Sequence, residues 1–525
     1  MNDRTSAPAP PARTRADAWA PWGFAIAVLV VLLAPPPPMP VGVFYDDGIY
    51  LDLAKALASG AGYRHLALPG APAGVHYPPL YPLWLALWSF LRPGVLSIGV
   101  LAWLKLGNVL LAAASVVPWA RWGARRFGLP WFVAGPAAAI AVLLVPARAV
   151  TSTLFSEPLA WLMLGLVFDL ADDTDDGRAP STMRALAAAA LASLLPLART
   201  ILIPVTLAVA WRLATEKGNP VAMRQREATL AAFMLLPALA WVAWTREHAH
   251  EIPAAWIGSY GSYSGMWRES VSGAGDLIAL VVAQLGGIWH VARQVWGSAG
   301  AVLALVLCAL GLWRLRGWRS VSLFGTLGYF AAVVIWPMSP DRFLWGMLPL
   351  VTLLLVSSLR AIPGESRRHG VVRTAIVLAA LALPLERCRV VNTHGYANAG
   401  WIVPQRSATQ DYAPVVRWAA TLPRDALILT ANDPLVAQAT GLHAAPLLSP
   451  DLREMRGAPA LRSPAERVTR SACAAGAGWM VVIDTLDEAG AAVAAMAREP
   501  ASPVRLGETV RLDGARAAVH FRCAR

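Results

Sequence analysis

Residues 44–88 read FYDDGIYLDLAKALASGAGYRHLALPGAPAGVHYPPLYPLWLALW, and this stretch indicates both the fold class and the place of a site. Its adjacent carboxylates, Asp46 and Asp47, come just after a first apolar segment. Ionisable groups at the edge of a membrane are costly to desolvate, so we interpret this acidic pair as part of a functional site. The alternative is a solvated loop that holds two ordinary aspartates.

Two short helices are predicted within this stretch. Apolar residues between Tyr45 and Ala58 recur at the spacing of one helix face, which predicts an amphipathic helix lying at the membrane interface. Pro79–Leu91 is apolar but short for a segment that must cross about 30 Å of hydrocarbon. We therefore expect Pro79–Leu91 to form an interfacial or re-entrant helix.

Composition indicates a membrane protein. Of the 525 residues, 57% are hydrophobic and 15% are charged, whereas a soluble chain carries about 25% charged residues. The net charge of +13 comes from basic residues, nearly all arginine, that cluster in short loops between apolar segments. This is the positive-inside pattern of membrane proteins, and it does not indicate a nucleic-acid partner.

We predict an α-helical polytopic membrane protein with about eleven transmembrane helices and additional interfacial helices, followed by a small C-terminal α/β soluble domain. The arginine-rich turns all fall on one side, so the N-terminus is expected inside and the C-terminal domain outside the cell. A long external region is expected from Arg246 to about Trp296. The predicted spans are Phe24–Ala34, Leu96–Trp119, Trp131–Pro146, Phe155–Leu170, Ala185–Leu197, Ile201–Trp211, Thr229–Trp244, Ala299–Trp313, Ser322–Trp336, Phe343–Leu359 and Val371–Leu385.

The predicted domains are a disordered cytoplasmic N-terminus (1–21), a transmembrane domain (22–388) whose first external loop is 41–95, and an extracytoplasmic α/β domain (389–525). Cys473 and Cys523 fall in this last domain and are candidates to pair if it lies outside the cytoplasm. Short buried strands alternate there with helices, as in α/β domains. The predicted strands are Ala426–Leu429, Trp479–Ile483 and Ala518–Phe521, and the predicted helices include Tyr412–Thr421 and Glu488–Ala497.

Several polar residues meet on the predicted outer face. Arginines there suit an anionic lipid headgroup, because a guanidinium holds phosphate oxygens as a bidentate fork, and a carboxylate suits a general base. Simpler roles are a helix cap for Glu157, snorkelling to the interface for Arg199, a local pair with Asp341 for Arg342, and an ordinary loop histidine for His76. The candidate site residues are Asp46, Asp47, His76, Tyr77, Glu157, Arg199 and Arg342.

The first external loop resembles that of the GT-C polyprenyl-phosphate-sugar glycosyltransferases, which include the aminoarabinose transferases of lipid A and the protein O-mannosyltransferases. Asp46-Asp47-x-x-Tyr50 is similar to their Asp-Glu-x-x-Tyr pattern, and the Pro78-Pro79-Leu80 box is similar to their Lys-Pro-Pro-Leu or Tyr-Pro-Pro-Leu-Tyr-Pro. The likeness extends in layout over residues 22–390, although only these short motifs are specific.

The resemblance implies roles for individual residues. Asp46 matches the catalytic acidic position, Asp47 stands where glutamate is commoner, and Glu157 resembles a second acidic position at a later outer loop. All three are therefore candidate catalytic residues. Arg199 and Arg342 match basic residues of the family, and we expect them to bind the donor phosphate.

Two positions depart from the aminoarabinose branch. Tyr77 replaces a lysine that contacts the donor phosphate there. Tyr77 is therefore a candidate phosphate contact, and other residues must supply the main contacts with the phosphate. His76 falls where that branch has an acidic metal ligand, so His76 is a candidate ligand for a divalent cation, the one cofactor that the resemblance suggests.

The prediction is an inverting glycosyltransferase, transferring a hexose or pentose from a polyprenyl-phosphate donor to a lipid, glycan or protein acceptor. The reaction is expected at the outer face of the bacterial inner membrane. No glycine-rich nucleotide-binding loop is visible, which agrees with a lipid-linked donor. The alternative is a transporter or flippase for a lipid-linked sugar, which would place ionisable residues near mid-membrane and often shows repeated halves. A scaffold whose external domain binds a partner is a third hypothesis, but it leaves the acidic loop unexplained.

Overall fold

The computed structural model describes residues 15–33, 40–92, 99–172, 181–215, 229–315, 320–360, 403–454, 459–484, 488–499 and 501–524, together with most of 371–386. The first part of the chain is helical. Its helices are α1 (Arg15–Leu33), α2 (Asp46–Ala58), α3 (Leu80–Phe90), α4 (Val100–Arg126), α5 (Trp131–Leu143), α6 (Val145–Ser152), α7 (Glu157–Ala171), α8 (Thr182–Ala198), α9 (Ile203–Ala214), α10 (Leu236–His248), α11 (Ile257–Tyr260), α12 (Tyr263–Ser270), α13 (Ala274–Arg314), α14 (Val321–Val334), α15 (Asp341–Trp345) and α16 (Leu348–Ser357).

Among the described helices, three are long and apolar enough to cross a membrane: Val100–Arg126, Thr229–Glu251 and Ala274–Arg314. A fourth candidate is the pair Trp131–Leu143 and Pro146–Ser152, which is bent by 63°. Shorter apolar helices of 10–17 residues accompany them. The chain is a multi-pass helical membrane protein, as predicted, while the count of about eleven crossings stays a prediction.

Two expected boundaries differ from the structure. Helix α1 begins at Arg15, so the expected limit of the N-terminal segment at residue 21 falls inside a helix, and residues 1–14 lie outside the described residues. An external region was expected up to about Trp296, yet α13 already begins at Ala274; its kink at Gly297 lies just before Ala299, the expected start of the span. Polar side chains such as Gln284 do not end a helix, because the backbone hydrogen bonds of the helix remain intact.

The first external loop holds the two predicted short helices. Helix α2 begins at Asp46, with both acidic residues in its first turn, where the helix dipole favours negative charge. Helix α3 begins just after Pro79, a residue that cannot donate the hydrogen bond of a helix interior. The connection between them folds back on itself through a bridge between Arg64 and Ala73.

The C-terminal part forms a five-stranded sheet in the order β2-β1-β3-β5-β4. Strands β2, β1 and β3 are parallel, and β4 and β5 form an antiparallel hairpin at one edge. The elements are α17 (Val403–Ala419), β1 (Leu427–Thr430), α18 (Asp433–Thr440), β2 (His443–Pro446), α19 (Pro464–Ala475), β3 (Ala477–Val482), α20 (Glu488–Arg498), β4 (Val504–Asp513) and β5 (Arg516–Cys523).

The predicted α/β class of this domain is confirmed, because the three predicted strands overlap β1, β3 and β5 and the two predicted helices overlap α17 and α20. Strand β2 escaped prediction because its sequence, HAAP, contains no β-branched or aromatic residue, the residue types that favour strands. Residues 387–402, where the domain boundary was expected, lie outside the described residues.

A disulfide joins Cys473 at the end of α19 to Cys523 at the end of β5, across a sequence separation of 50 residues. Their Cα atoms are 5.0 Å apart, within the range that native disulfides span. The structure therefore pairs the two cysteines that the sequence offered as candidates. Such a bond forms and persists in an oxidising compartment.

We expect Cys473→Ser to lower the free energy of unfolding of the C-terminal domain by about 2–5 kcal/mol, because the broken crosslink frees a long loop in the unfolded state. Pulse proteolysis of the purified full chain in urea, followed at a C-terminal epitope, measures this loss. Cys308→Ser is the matched control, because Cys308 is a free thiol. Modification of Cys473 or Cys523 by a thiol reagent in the unreduced protein would contradict the pairing.

Candidate functional site

Glu157, the first residue of α7, lies at the centre of a cluster of charges. Its carboxylate is fully buried and pairs with two guanidinium groups. Arg199 Nη1 lies 2.5 Å from Glu157 Oε1, and Arg342 Nη2 lies 3.0 Å from the same oxygen. Since Arg199 follows α8 and Arg342 belongs to α15, one carboxylate joins three separate parts of the chain. The three residues together carry one excess positive charge.

Asn108 of α4 fixes the turn that precedes Glu157. Its amide donates to the carbonyls of Thr153 at 2.9 Å and Phe155 at 3.1 Å, and it accepts the Tyr81 hydroxyl at 2.9 Å. The Phe155 ring in turn lies 3.8 Å from the Cζ atom of Arg342, which is a cation–π contact. Sequence reasoning missed Asn108, although a lone amide in an apolar span is a signal that could have found it.

Asp46 adds the fourth charge and reaches the surface. Arg342 Nη1 donates to Asp46 Oδ2, and the Tyr77 hydroxyl donates to Oδ1 at 2.7 Å. The Asp46 side chain is 26% exposed, whereas that of Glu157 is inaccessible. Burial and the neighbouring Asp46 raise the pKa of Tyr77 well above its ordinary value, so the phenol keeps its proton and acts as a donor.

Asp47 points away from this cluster. Its buried carboxylate accepts hydrogen bonds from the backbone N–H groups of Gly42 at 3.0 Å and Phe44 at 3.2 Å, and from the Thr153 hydroxyl at 2.6 Å. Burial raises the pKa of Asp47 to about 6, while these hydrogen bonds oppose the rise. The predicted catalytic role of Asp47 finds no support in this position, because all its contacts brace the loop.

The residue before the acidic pair, Tyr45, has a strained backbone. Its φ and ψ are 70° and −69°, and the N–H of Asp46 donates to the carbonyl of Phe44 at 2.8 Å. This is a γ-turn with positive φ, which is rare for a residue with a side chain. Strain of this kind costs about 1–3 kcal/mol and persists only where the surroundings impose it. Asp46 and Asp47, the first two residues of α2, then face different sides because neighbours on a helix lie about 100° apart around its axis.

A cavity of about 320 Å³ lies between the first external loop and the two arginine-bearing turns. Asp46, Arg199 and Arg342 form its charged side, and aromatic rings form much of the rest. The lining residues are Phe44, Asp46, Tyr50, His76, Tyr77, Pro78, Ala198, Arg199, Thr200, Ile201, Tyr263, Trp336, Met338, Ser339, Asp341, Arg342, Phe343 and Trp345.

His76 lines this cavity without the companions of a metal ligand. Its Nδ1 lies 2.8 Å from the carbonyl of Gly261, and its ring packs on Tyr77 and Tyr263 with centroids 4.4 and 4.5 Å apart. Burial lowers the pKa of His76, which favours the neutral ring. Within the described residues, no group of three or more histidines, cysteines or carboxylates could hold a metal ion. The residues present do not assemble the divalent-cation site that the sequence suggested.

The simpler roles for the charged residues do not describe their contacts. Glu157 is held by two arginines, and the N-cap of α7 is Ser156. Arg342 pairs with Asp46 and Glu157, while Asp341 accepts the Ser339 hydroxyl at 2.9 Å. The structure thus brings together Asp46, Tyr77, Glu157, Arg199 and Arg342, five of the seven residues predicted on one face, and adds Ser156, whose hydroxyl lies 3.1 Å from that of Tyr50.

We expect Glu157→Gln to lower the free energy of unfolding by about 3–5 kcal/mol, because removing one partner leaves buried charges uncompensated. Thermal unfolding of the detergent-purified protein measures the loss. Glu466→Gln is the control, since its ion pair with Arg462 is solvent-exposed and worth about 0–1 kcal/mol. Equal melting temperatures of the Glu157→Gln and Glu466→Gln variants would contradict a structural role for the Glu157 cluster.

Comparisons with known proteins find relatives by structure alone. No protein-family model and no curated protein sequence matches the chain. ArnT from Cupriavidus metallidurans in the apo state is 12% identical with a TM-score of 0.54, over 97% of this chain and 98% of that one. ArnT bound to undecaprenyl phosphate gives the same identity and TM-score over 95% of this chain and 97% of that one.

A third solved structure is the oligosaccharyltransferase of Archaeoglobus fulgidus in its apo form, which is 10% identical with a TM-score of 0.50. The match covers 88% of this chain and 69% of that one. At identities this low, the structural similarity establishes the fold alone and does not establish the reaction. The chain therefore shares its fold with these glycosyltransferase structures, as the resemblance of residues 44–88 led us to expect.

Proposed function

We propose that this protein is a membrane glycosyltransferase that moves a sugar from a polyprenyl-phosphate donor to an acceptor hydroxyl. One observation carries the proposal. A single cavity holds an accessible carboxylate, Asp46, beside two arginines that a buried glutamate keeps in place. The arginines suit a phosphate, and the carboxylate suits the proton of an attacking hydroxyl.

The donor phosphate binds at Arg199 and Arg342 in this proposal. Glu157 fixes both guanidinium groups before a ligand arrives, so less side-chain freedom is lost on binding. Their fork geometry matches phosphate oxygens. The aromatic wall of the cavity, which includes Trp336 and Phe343, suits the apolar face of a sugar or the first prenyl units.

Arg342 links donor binding to the base. Its Nη1 is bonded to Asp46, so a phosphate that takes over this guanidinium frees the Asp46 carboxylate. The freed carboxylate accepts the proton of the acceptor hydroxyl.

The transfer itself is a single displacement. The acceptor oxygen attacks the anomeric carbon on the face opposite the phosphate, and the new C–O bond forms as the bond to the phosphate oxygen breaks. Polyprenyl phosphate departs with the electron pair of that bond, and Arg199 and Arg342 neutralise its charge. The configuration at the anomeric carbon inverts.

We place the reaction at the outer face of the bacterial inner membrane. The disulfide between Cys473 and Cys523 favours an oxidising compartment for the C-terminal domain. That domain contacts the loop that carries Asp46, since Gln438 donates to the Gly48 carbonyl at 3.1 Å, so domain and cavity share one face. ArnT was solved with undecaprenyl phosphate, and we extend that class of lipid carrier to this chain.

The test of this function is sugar transfer by the purified protein in nanodiscs. The donor is a synthetic polyprenyl-phosphate sugar labelled in the sugar, and a membrane extract supplies lipid, glycan and protein acceptors. We expect label to move from the donor to one acceptor fraction. Label that stays on the donor in every fraction would contradict the proposal, and translocation of the intact donor across vesicles would assign a flippase instead.

We expect Asp46→Asn to lower the transfer rate by about 10²–10⁴-fold, the usual contribution of a general base, while the donor still binds. Transfer rate and donor affinity are measured on the same preparation. Glu251→Gln is the control, because Glu251 is a carboxylate paired with Arg64 outside the cavity lining. Near-normal transfer by Asp46→Asn would exclude Asp46 as the base.

Arg199→Ala and Arg342→Ala should each weaken donor binding by about 10- to 100-fold, the worth of a hydrogen bond to a charged group. Arg64→Ala, which removes an arginine outside the cavity lining, is the control. Binding of a fluorescent polyprenyl phosphate gives the affinities. Unchanged donor affinity in both cavity variants would show that the two arginines have a purely structural role.

A further inference from the structure

The C-terminal domain packs directly on the backbone that carries the acidic pair. Helix α18 approaches this loop so closely that a Cβ atom on Gly42 would lie 2.5 Å from the Leu435 Cα. A Cβ atom on Gly48 would lie 2.6 Å from the Pro434 Cβ. The contact therefore requires glycine both before and after the acidic pair.

Hydrogen bonds reinforce this contact at two further places. Gln438 of α18 donates to the carbonyl of Gly48 at 3.1 Å and accepts from Lys55 Nζ at 2.6 Å. The N–H of Ala444 in β2 donates to the carbonyl of Ala67 at 3.0 Å. The first external loop is thus joined to both a helix and a strand of the C-terminal domain.

A buried polar group lies at the middle of this interface. The Asp433 carboxylate, at the start of α18, is 1% exposed and accepts the hydroxyl of Tyr260. Among the described residues, none forms a hydrogen bond with the buried Tyr45 hydroxyl, and the Tyr45 and Tyr260 rings are 6.1 Å apart. Burial raises the pKa of Asp433 to about 7, and the Tyr260 hydroxyl opposes that rise. Tyr45 is the residue whose backbone is strained.

We propose that the C-terminal domain is a positioning element of the active site, in which Asp433 anchors Tyr260, Tyr260 packs against the Tyr45 ring, and this packing keeps the strained turn from which Asp46 enters the cavity. This inference rests on the proposed function for its catalytic consequence. A strained turn relaxes unless its surroundings hold it, and here α11 and α18 add holding groups to the hydrogen bonds that Asp47 makes with Gly42 and Phe44. Asp433 and Tyr260 line no part of the cavity and act through Tyr45.

This arrangement predicts a particular kinetic pattern. Loosening the turn displaces Asp46, whereas Arg199 and Arg342 lie on other elements and keep their places. A small misplacement of a catalytic group can cost about 100-fold in rate. The turnover number should therefore fall while the KM for the donor stays unchanged.

The experiment compares variants on either side of this joint. Asp433→Ala and Tyr260→Phe should lower kcat by about 10- to 100-fold with the donor KM unchanged, and Asp433→Asn, which keeps an oxygen to accept the Tyr260 hydroxyl, should restore most of the rate. Tyr412→Phe is the matched control, because Tyr412 is a buried tyrosine of the same domain that contacts Thr430. Wild-type kcat in Asp433→Ala and Tyr260→Phe, or a donor KM that rises as kcat falls, would overturn the proposal.

Hydrogen exchange tests the same joint without any turnover, so it separates failure of this inference from failure of the proposed function. In Asp433→Ala, peptides that cover residues 42–48 should exchange faster than in the wild type, while peptides around Glu157 should not. Tyr412→Phe should leave residues 42–48 unchanged. Equal protection of residues 42–48 in Asp433→Ala and the wild type would contradict the positioning role, whatever the sugar-transfer assay gives.

Discussion

The ion cluster around Glu157 is the interaction on which the rest of the site depends. A buried carboxylate is tolerated only when charges and hydrogen bonds compensate the loss of its hydration. Here two guanidinium groups from distant parts of the chain supply that compensation. The demand for pairing therefore brings α7, the turn after α8 and helix α15 to one point. At this point Glu157 fixes the two arginines at the wall of the cavity.

The two acidic residues of the cluster differ because their surroundings differ. Glu157 is inaccessible and forms ion pairs with two arginines. Asp46 is partly exposed, pairs with Arg342 and accepts the Tyr77 hydroxyl. Burial thus divides one pair of similar side chains into an anchor and a reactive group. The two neighbouring aspartates also diverge, because Asp46 lines the cavity whereas the buried Asp47 accepts the Thr153 hydroxyl.

Much of this arrangement could be predicted from the sequence. The apolar segments and arginine-rich turns indicated a polytopic membrane protein, and the motif around Asp46 indicated the fold. The residues Glu157, Arg199 and Arg342 were expected on one face because positive-inside topology constrains the turns. Their direct contact was beyond such reasoning, since topology orders turns along the membrane normal and says nothing about which of them are neighbours.

The remaining features depend on tertiary contacts that leave little trace in local sequence. The role of Asp47 as a loop brace follows from the backbone of Gly42 and the hydroxyl of Thr153, which periodicity cannot reveal. His76 lacks companion ligands for the same kind of reason, because a metal site needs several residues to converge. The joint that runs from Asp433 through Tyr260 to Tyr45 connects residues nearly four hundred positions apart, a separation at which sequence spacing carries no information.

The central claim is that the arginines held by Glu157 receive the donor phosphate and thereby release Asp46. A cryo-electron microscopy structure of the protein in nanodiscs with a polyprenyl phosphate tests it most directly. We predict density for the phosphate within hydrogen-bonding distance of both Arg199 and Arg342, with the Asp46 carboxylate no longer bonded to Arg342. A phosphate bound away from these two arginines, or an Asp46 that still pairs with Arg342 beside the bound phosphate, would contradict the claim.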